Sequence, residues 1–374
     1  MAKSLALVTW SLTAAMTVLL SAMLPTSGLA ANKTNRVKSA ETFLPADYIA
    51  GAWWLYKSIF VENGRVVDRS NGNVSHSEGQ GYGMLIAVAA DDRETFDALW
   101  TWTQENLQVR EDALSAWRWS PDAATRVADT NNASDGDLLI AWALSRAATR
   151  WKEPAYLAEA RRILKDLKAK ATVKDATYGT LLLPAAQGFG GSAEQPGIVV
   201  NLSYWIFPAL EELGLVDPTF PAADLIASGK SLLEKGRFGN SDLPADWLSL
   251  KGAHPQPAPA FAATFGYEAV RVPLYTAWSG AAPLSLLTGV QKRWNENGAN
   301  VMHVMDLATA AAMTAMPDPG YRAVSALLSC GLGRAGQDSS MPPFEPTEYY
   351  PSTLHLLSII AISERYASCL PSQN

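Results

Sequence analysis

Residues 75–84 read Ser-His-Ser-Glu-Gly-Gln-Gly-Tyr-Gly-Met, which sets one carboxylate, Glu78, among small residues, with Tyr82 close behind and an apolar helix predicted over 84–90. A proton-donating carboxyl group needs backbone that can approach a ligand closely and apolar neighbours that raise its pKa toward working pH. A first-turn charge at a helix N-terminus would give the same pattern. The residues elsewhere in the chain decide between the two.

A second acidic motif, Asn131-Asn132-Ala133-Ser134-Asp135-Gly136-Asp137, precedes the apolar run 138–144. Helix capping explains one of these Asp residues, at about 1 kcal/mol. Two carboxylates and two asparagines exceed what a cap requires. The helix dipole is expected to keep Asp135 ionised, as suits a group that stabilises charge or grips a sugar. A third motif, Phe265-Gly266-Tyr267-Glu268-Ala269-Val270-Arg271, spaces Glu268 and Arg271 at i, i+3, facing the same way on a helix. That pair is either a surface ion pair worth little or a catalytic carboxylate held by its arginine, with Tyr267 on substrate or water.

Thirteen Trp and twelve Tyr accompany these carboxylates. Most large aromatics belong to a core, but Trp117-Arg118-Trp119 is flanked by polar residues, where burial of both rings is disfavoured. Sugar rings stack their C–H faces on aromatics, so a groove of Trp and Tyr beside carboxylates suits a neutral polysaccharide. The four histidines, His76, His254, His303 and His355, form no i, i+4 pair and neighbour no Cys, so metal ligation by them is not expected, and proton transfer by carboxylates requires no organic cofactor.

The elements that must position these residues are mostly helical. Phe96, Leu99, Thr103 and Leu107 mark one helix face, as do Tyr156, Ala160, Ile163, Leu164 and Leu167. Similar segments recur near 137–150, 203–213, 222–235, 264–288, 301–315, 320–332 and 350–366, while Val66-Val67 and Ile198-Val199-Val200 are the best strand candidates. No fixed-period consensus supports a solenoid. A closed ring of helical hairpins, with helix N-termini opening on one groove, fits better.

The N-terminus combines Lys3, an apolar run from Leu5 to Leu24 and a small-residue end at Gly28-Leu29-Ala30-Ala31, the parts of a secretory signal. Cleavage after Ala30 or Ala31 is expected, leaving a secreted or periplasmic protein with no membrane span; an uncleaved anchor is the alternative. Loss of residues 1–30 removes one positive charge, Lys3, so the formal charge moves from −6 to −7. That sign argues against nucleic acid as partner. It disfavours a polyanionic sugar only weakly, since a local basic groove can hide in an acidic protein. No linker divides residues 31–374, so one domain is expected. Cys330 and Cys369 can pair in an oxidising compartment, subject to geometry.

Ser77-Glu78-Gly79-Gln80-Gly81-Tyr82-Gly83-Met84 and Ala133-Ser134-Asp135-Gly136-Asp137, continued by Ile140-Ala141 and Ala143-Leu144, closely resemble the two signatures of glycoside hydrolase family 8. The particular likeness is to the cellulases encoded beside bacterial cellulose synthases. Gly64-Arg65-Val66-Val67-Asp68, Leu182-Leu183-Pro184, Gly188-Phe189, Asn201-x-Ser203-Tyr204, Pro244-x-Asp246-Trp247 and Tyr349-Tyr350 follow in family order, so the likeness spans about residues 45–365.

The resemblance implies an all-α (α/α)6 barrel with an open cleft that cuts internal β-1,4-glucosidic bonds with inversion. Glu78 matches the proton donor. Asp135 matches the second signature carboxylate, which holds the distorted sugar. Glu268 falls on the water-activating base, where family cellulases carry Asp. The substrate-binding set is Trp117, Trp119, Tyr204, Tyr267 and Arg271. The partner is a β-1,4-glucan, and cellulose synthase machinery is a second candidate. Within the family, mixed-linkage glucan, chitosan and xylan remain alternatives. Outside the reading lie a weakly catalytic glucan-binding accessory and a polysaccharide lyase, the latter requiring a Tyr/His/Arg site and a basic groove.

Overall fold

Burial sorts the helices into two kinds. In this computed structural model, which describes residues 45–191, 197–280, 283–296, 301–333 and 341–369, eleven α-helices occur among the described residues. They are α1 (Pro45–Phe60), α2 (Ser77–Ala89), α3 (Arg93–Asn106), α4 (Ser134–Trp151), α5 (Pro154–Ala171), α6 (Phe207–Val216), α7 (Ala222–Lys235), α8 (Arg271–Ser279), α9 (Leu284–Glu296), α10 (Pro319–Gly331) and α11 (Tyr349–Arg365). Helices α2, α4, α8, α10 and α11 are buried on nearly every face. Helices α3, α5, α7 and α9 bury one stripe and leave a polar face outward, as in α5 with Tyr156, Ala160, Ile163, Leu164 and Leu167.

That difference is the signature of an inner and an outer layer. Helix α2 packs on α4, α4 on α6, α6 on α8, α8 on α10 and α11, and α11 back on α2, which closes the inner ring. The outer helices lie against it: α3 on α2, α5 on α4, α7 on α6 and α9 on α8. The fold is an (α/α)6 barrel. All described residues fall within one compact unit. Residues 1–30, where the sequence points to a signal, lie outside the described residues.

Two helix expectations are corrected. Residues 301–315 do not form a helix but an antiparallel strand pair, Met302–Asp306 with Ala312–Met316, whose first strand also pairs Thr264–Phe265. Ala- and Met-rich composition favours a helix, yet the Asp306 side chain accepts from the Thr309 N–H and hydroxyl and folds the chain into a turn. The long segment 264–288 likewise breaks into the strand Thr264–Phe265, a turn at 267–270, helix α8 and the start of α9. Of the strand candidates, Val199–Val200 pairs Leu248–Ser249, and Arg65–Val66 pairs Val61–Glu62.

The predicted helix after residue 84 starts earlier, at Ser77, so Gly79, Gly81 and Gly83 lie inside it. Glycine in a helix costs up to about 1 kcal/mol against alanine. Close packing offsets that cost: a Cβ on Gly81 would lie 2.5 Å from Leu139 Cβ and 3.0 Å from the Ile140 nitrogen. These glycines admit a neighbouring helix, not a ligand.

Cys330, at the end of α10, and Cys369, beyond α11, are joined as a disulfide with Cα atoms 6.1 Å apart, in the usual range for such bridges. Among the described residues, no helix is long and apolar enough to cross a membrane.

Candidate active site

The N-terminal ends of α2, α4, α8 and α11 meet, and the three acidic motifs meet with them. Glu78 lies in the first turn of α2 and Asp135 in the first turn of α4. Gly136 permits this approach, since a Cβ there would lie 2.8 Å from the Glu78 backbone nitrogen and closer still to Ser77 Oγ. Arg271 opens α8, and Glu268 sits three residues earlier on the turn leading into it.

One guanidinium ties all three carboxylates together. Arg271 Nη1 donates to Glu78 Oε2 and, at 2.9 Å, to Asp135 Oδ2, while Nη2 donates to Glu268 Oε2. Asp135 and Arg271 side chains are 2% and 3% exposed, whereas Glu78 and Glu268 keep 21% and 35%. Arginine and Asp135 therefore form the floor, and the two glutamates reach toward solvent from it. Bound to opposite terminal nitrogens of one planar group, the Glu78 and Glu268 oxygens stand no more than roughly 8 Å apart. The i, i+3 pairing of Glu268 with Arg271 is present, but its arginine is buried, unlike a surface ion pair.

One cation faces three carboxylates, and Asp135 is the most deeply buried of them. Burial pushes the Asp135 carboxyl well above its ordinary range, and the adjoining Glu78 charge pushes it further, against the pull of Arg271. The expectation of an ionised Asp135 is thus corrected: removal from water outweighs the helix N-terminus. Glu78 and Asp135 share the Arg271 Nη1 donor, which holds the two carboxyl groups side by side.

Asp137 is not part of this cluster. Its Oδ1 accepts from the Ser115 N–H at 2.8 Å and its Oδ2 from Asn132 Nδ2 at 2.9 Å, so it ties the 115 and 132 loops to α4. Burial raises its pKa to about 7, the bonds from Ser115 and Asn132 opposing. Neither Asp caps α4, whose N-cap is Ala133 without a side-chain bond.

The supports of Glu268 were not assigned from sequence. Asn201 Nδ2 donates to Glu268 Oε2 at 3.0 Å, while Asn201 Oδ1 accepts from the Ser203 N–H and hydroxyl. Asp246 accepts from the N–H groups of Gly266 and Ala269 and from Thr264 Oγ1, which clamps the turn carrying Glu268. Tyr350 donates to the Tyr267 carbonyl at 2.6 Å from the other side. Asn201, Asp246 and Tyr350 lie within the motifs matching the family in sequence, but their hydrogen bonds join segments remote in the chain.

The aromatic residues divide. Tyr204 lies against the Arg271 guanidinium, 5.7 Å from its ring centre, and Tyr267 is 48% exposed at the rim. Trp117 is half-buried beside both carboxylate helices: its carbonyl accepts from the Ser77 N–H and its N–H donates to the Asn131 carbonyl. The Trp119 ring is instead overlaid by Arg65 at 4.9 Å and Arg126 at 5.5 Å, and meets Trp102 edge-on. A further aromatic group, missed in sequence, stacks Trp247 on Phe261 at 4.4 Å and on Phe189 at 5.7 Å, with Tyr204 alongside.

The family model described as "Glycosyl hydrolases family 8" matches residues 12–364. The chain belongs to this family. It is a glycoside hydrolase. A probable endoglucanase of Novacetimonas hansenii is 38% identical over 85% of this chain and 92% of its own length. An endoglucanase of Cellulomonas uda is 37% identical over 70% of this chain and 72% of its own. The solved endo-β-1,4-glucanase CMCax from Acetobacter xylinum superposes with a TM-score of 0.79 at 36% identity, covering 85% of this chain and 99% of that one.

Proposed function

We propose that this family 8 hydrolase is an exported, inverting endo-β-1,4-glucanase acting on cellulose, with residues 31–374 as its single catalytic domain. The observation that carries the reading is the Arg271 guanidinium, which gathers Glu78, Asp135 and Glu268 at one mouth of the barrel. Inverting enzymes hold acid and base roughly 6.5–9.5 Å apart, with room for water between. The roughly 8 Å limit set by one guanidinium is compatible with that range.

The glucan lies across the barrel mouth, over Trp117, Tyr204 and Tyr267. Glu78, 21% exposed where Asp135 is 2%, is the carboxyl group that reaches the leaving glycosidic oxygen and delivers the proton to it. Asp135, fixed at the floor, holds the sugar at the cleavage point. Glu268, aimed by Asn201 and Arg271, takes a proton from the water that attacks the opposite ring face. As negative charge leaves Glu78 or builds on it, Arg271 balances it without moving, which is electrostatic preorganisation.

Export follows from the charged start, apolar run and small-residue end of residues 1–31, and the Cys330–Cys369 disulfide fits an oxidising compartment. The motif likeness to cellulases encoded beside cellulose synthases supports a role next to that machinery. Reducing-end release from carboxymethyl-cellulose, mixed-linkage glucan, xylan and chitosan, with wild type and Glu78→Gln side by side, tests the reading. The expected result is highest turnover on the β-1,4-glucans and loss of at least about 10³-fold in the variant with glucan binding kept. Turnover by Glu78→Gln near the wild-type rate would overturn the acid assignment, and a preference for chitosan or xylan would overturn the substrate.

A further inference from the structure

Among the described residues, three arginines near the first two acidic motifs make no direct ion pair, although Glu62 acts on Arg65 from a distance. Arg69, Arg110 and Arg146 each hold a carboxylate, as arginines in an acidic protein readily do. Arg65, Arg118 and Arg126 hold none among the described residues, yet they converge on one tryptophan pair. Arg65 and Arg126 lie over the Trp119 ring at 4.9 and 5.5 Å, and Arg118 over the Trp117 ring at 5.7 Å. Arg118 Nε is buried with no hydrogen-bond partner. Arg65 spends Nη1 on the Asn73 carbonyl and Ser75 Oγ. The nearby Asp129 accepts instead from Trp117 Nε1 at 2.9 Å and from the Asn131 N–H.

Burial holds the Arg65 pKa down, against the pull of Glu62. Contact with an indole face supports a guanidinium without using its N–H groups, and a guanidinium receives a carboxylate in two parallel bonds. One member is tied to the catalytic segment: Arg118–Trp119 pairs Ser75–His76, two residues before Glu78. We propose that Arg65, Arg118 and Arg126 form a subsite for a carboxylate group borne on the β-1,4-glucan chain, along the flank of the cleft built by Trp117 and Trp119. A net charge of −6 makes such a patch selective: the rest of the surface repels an anionic polymer, and this flank receives it.

The inference rests on the reading of the cleft as a β-1,4-glucan site, and its test separates the two. Hydroxyethyl-cellulose, a neutral substituted glucan, must be cut if the site reading holds; failure there refutes that reading. The subsite is read from the ratio of kcat/KM on carboxymethyl-cellulose to that on hydroxyethyl-cellulose, for wild type, Arg118→Gln and Arg126→Gln. The ratio is expected to fall about tenfold or more in the variants, as befits loss of a charge-assisted hydrogen bond. In the wild type, raising salt is expected to lower kcat/KM on carboxymethyl-cellulose while leaving the neutral substrate nearly unaffected. An unchanged ratio in folded variants, or equal salt dependence on both polymers, overturns the proposal. The salt arm stands even if a variant fails to fold.

Discussion

Gly136→Ala probes the approach of α4 to α2 with the smallest possible perturbation. The added Cβ would lie 2.8 Å from both the Glu78 nitrogen and the Ser77 carbonyl carbon, against 3.4 Å for ordinary contact, so backbone must yield by about 0.6 Å. Ser77 Oγ can rotate away; the backbone atoms of a helix first turn cannot. Overpacking of this kind costs about 1–3 kcal/mol, offset by up to about 1 kcal/mol of helix propensity, so the variant folds. The displacement separates Asp135 from Glu78, and misplacement near 1 Å can cost on the order of 10² in rate.

Kinetics on carboxymethyl-cellulose with parallel thermal melts read both effects, and kcat/KM should fall by roughly 10²-fold with a modest change in melting temperature. Gly81→Ala supplies the comparison. Its Cβ strikes Leu139 Cβ at 2.5 Å in the same helix pair, away from the carboxylates, so stability should suffer more and activity less. A folded Gly136→Ala enzyme with wild-type kcat/KM, or greater activity loss in Gly81→Ala, would refute the reasoning.

Glu268→Asp shortens the side chain out of reach of Asn201 and Arg271 and should lower kcat by on the order of 10²; rapid kinetics that find unchanged turnover would contradict this. Asn201→Ala should lower kcat several-fold to tenfold with little change in KM, because Asn201 aims the base and leaves substrate contacts intact. For pH, the Asp137 pKa is raised in the folded state to about 7, so the native state binds the extra proton between its ordinary value of 3.8 and about 7. Asp137 should therefore weaken folding as pH rises through that window, by a few kcal/mol in all, and urea melts of Asp137→Asn should lack this component. Reducing the Cys330–Cys369 bridge opens a loop spanning a separation of 39 residues and should cost about 4 kcal/mol in chain-entropy terms, visible as a lower urea midpoint.

Periodicity made the barrel legible where one helix face differs from the other, as in α3 and α5. It failed at 301–315, where the Asp306 turn and pairing with Thr264–Phe265 override helical composition. The candidate acidic residues were legible because Glu78 and Asp135 sit at helix starts amid small residues and Glu268 precedes Arg271 by three. Their convergence on one guanidinium was not legible, since Arg271 lies 193 residues from Glu78 in the chain. The ionisation of Asp135 was misread for a related reason: a helix dipole is local, whereas burial is set by the whole ring. The Asn201 and Asp246 roles are contacts across loops, which no local pattern encodes.

The central claim is that an acid and a water-activating base face one sugar from opposite sides, and anomeric configuration reports on it directly. Proton NMR of the first products released from a soluble β-1,4-glucan should show new reducing ends in the α configuration, with the β form growing in later by mutarotation. Reducing ends that first appear as β would mean retention through a covalent intermediate, and the Glu78–Glu268 account would be wrong.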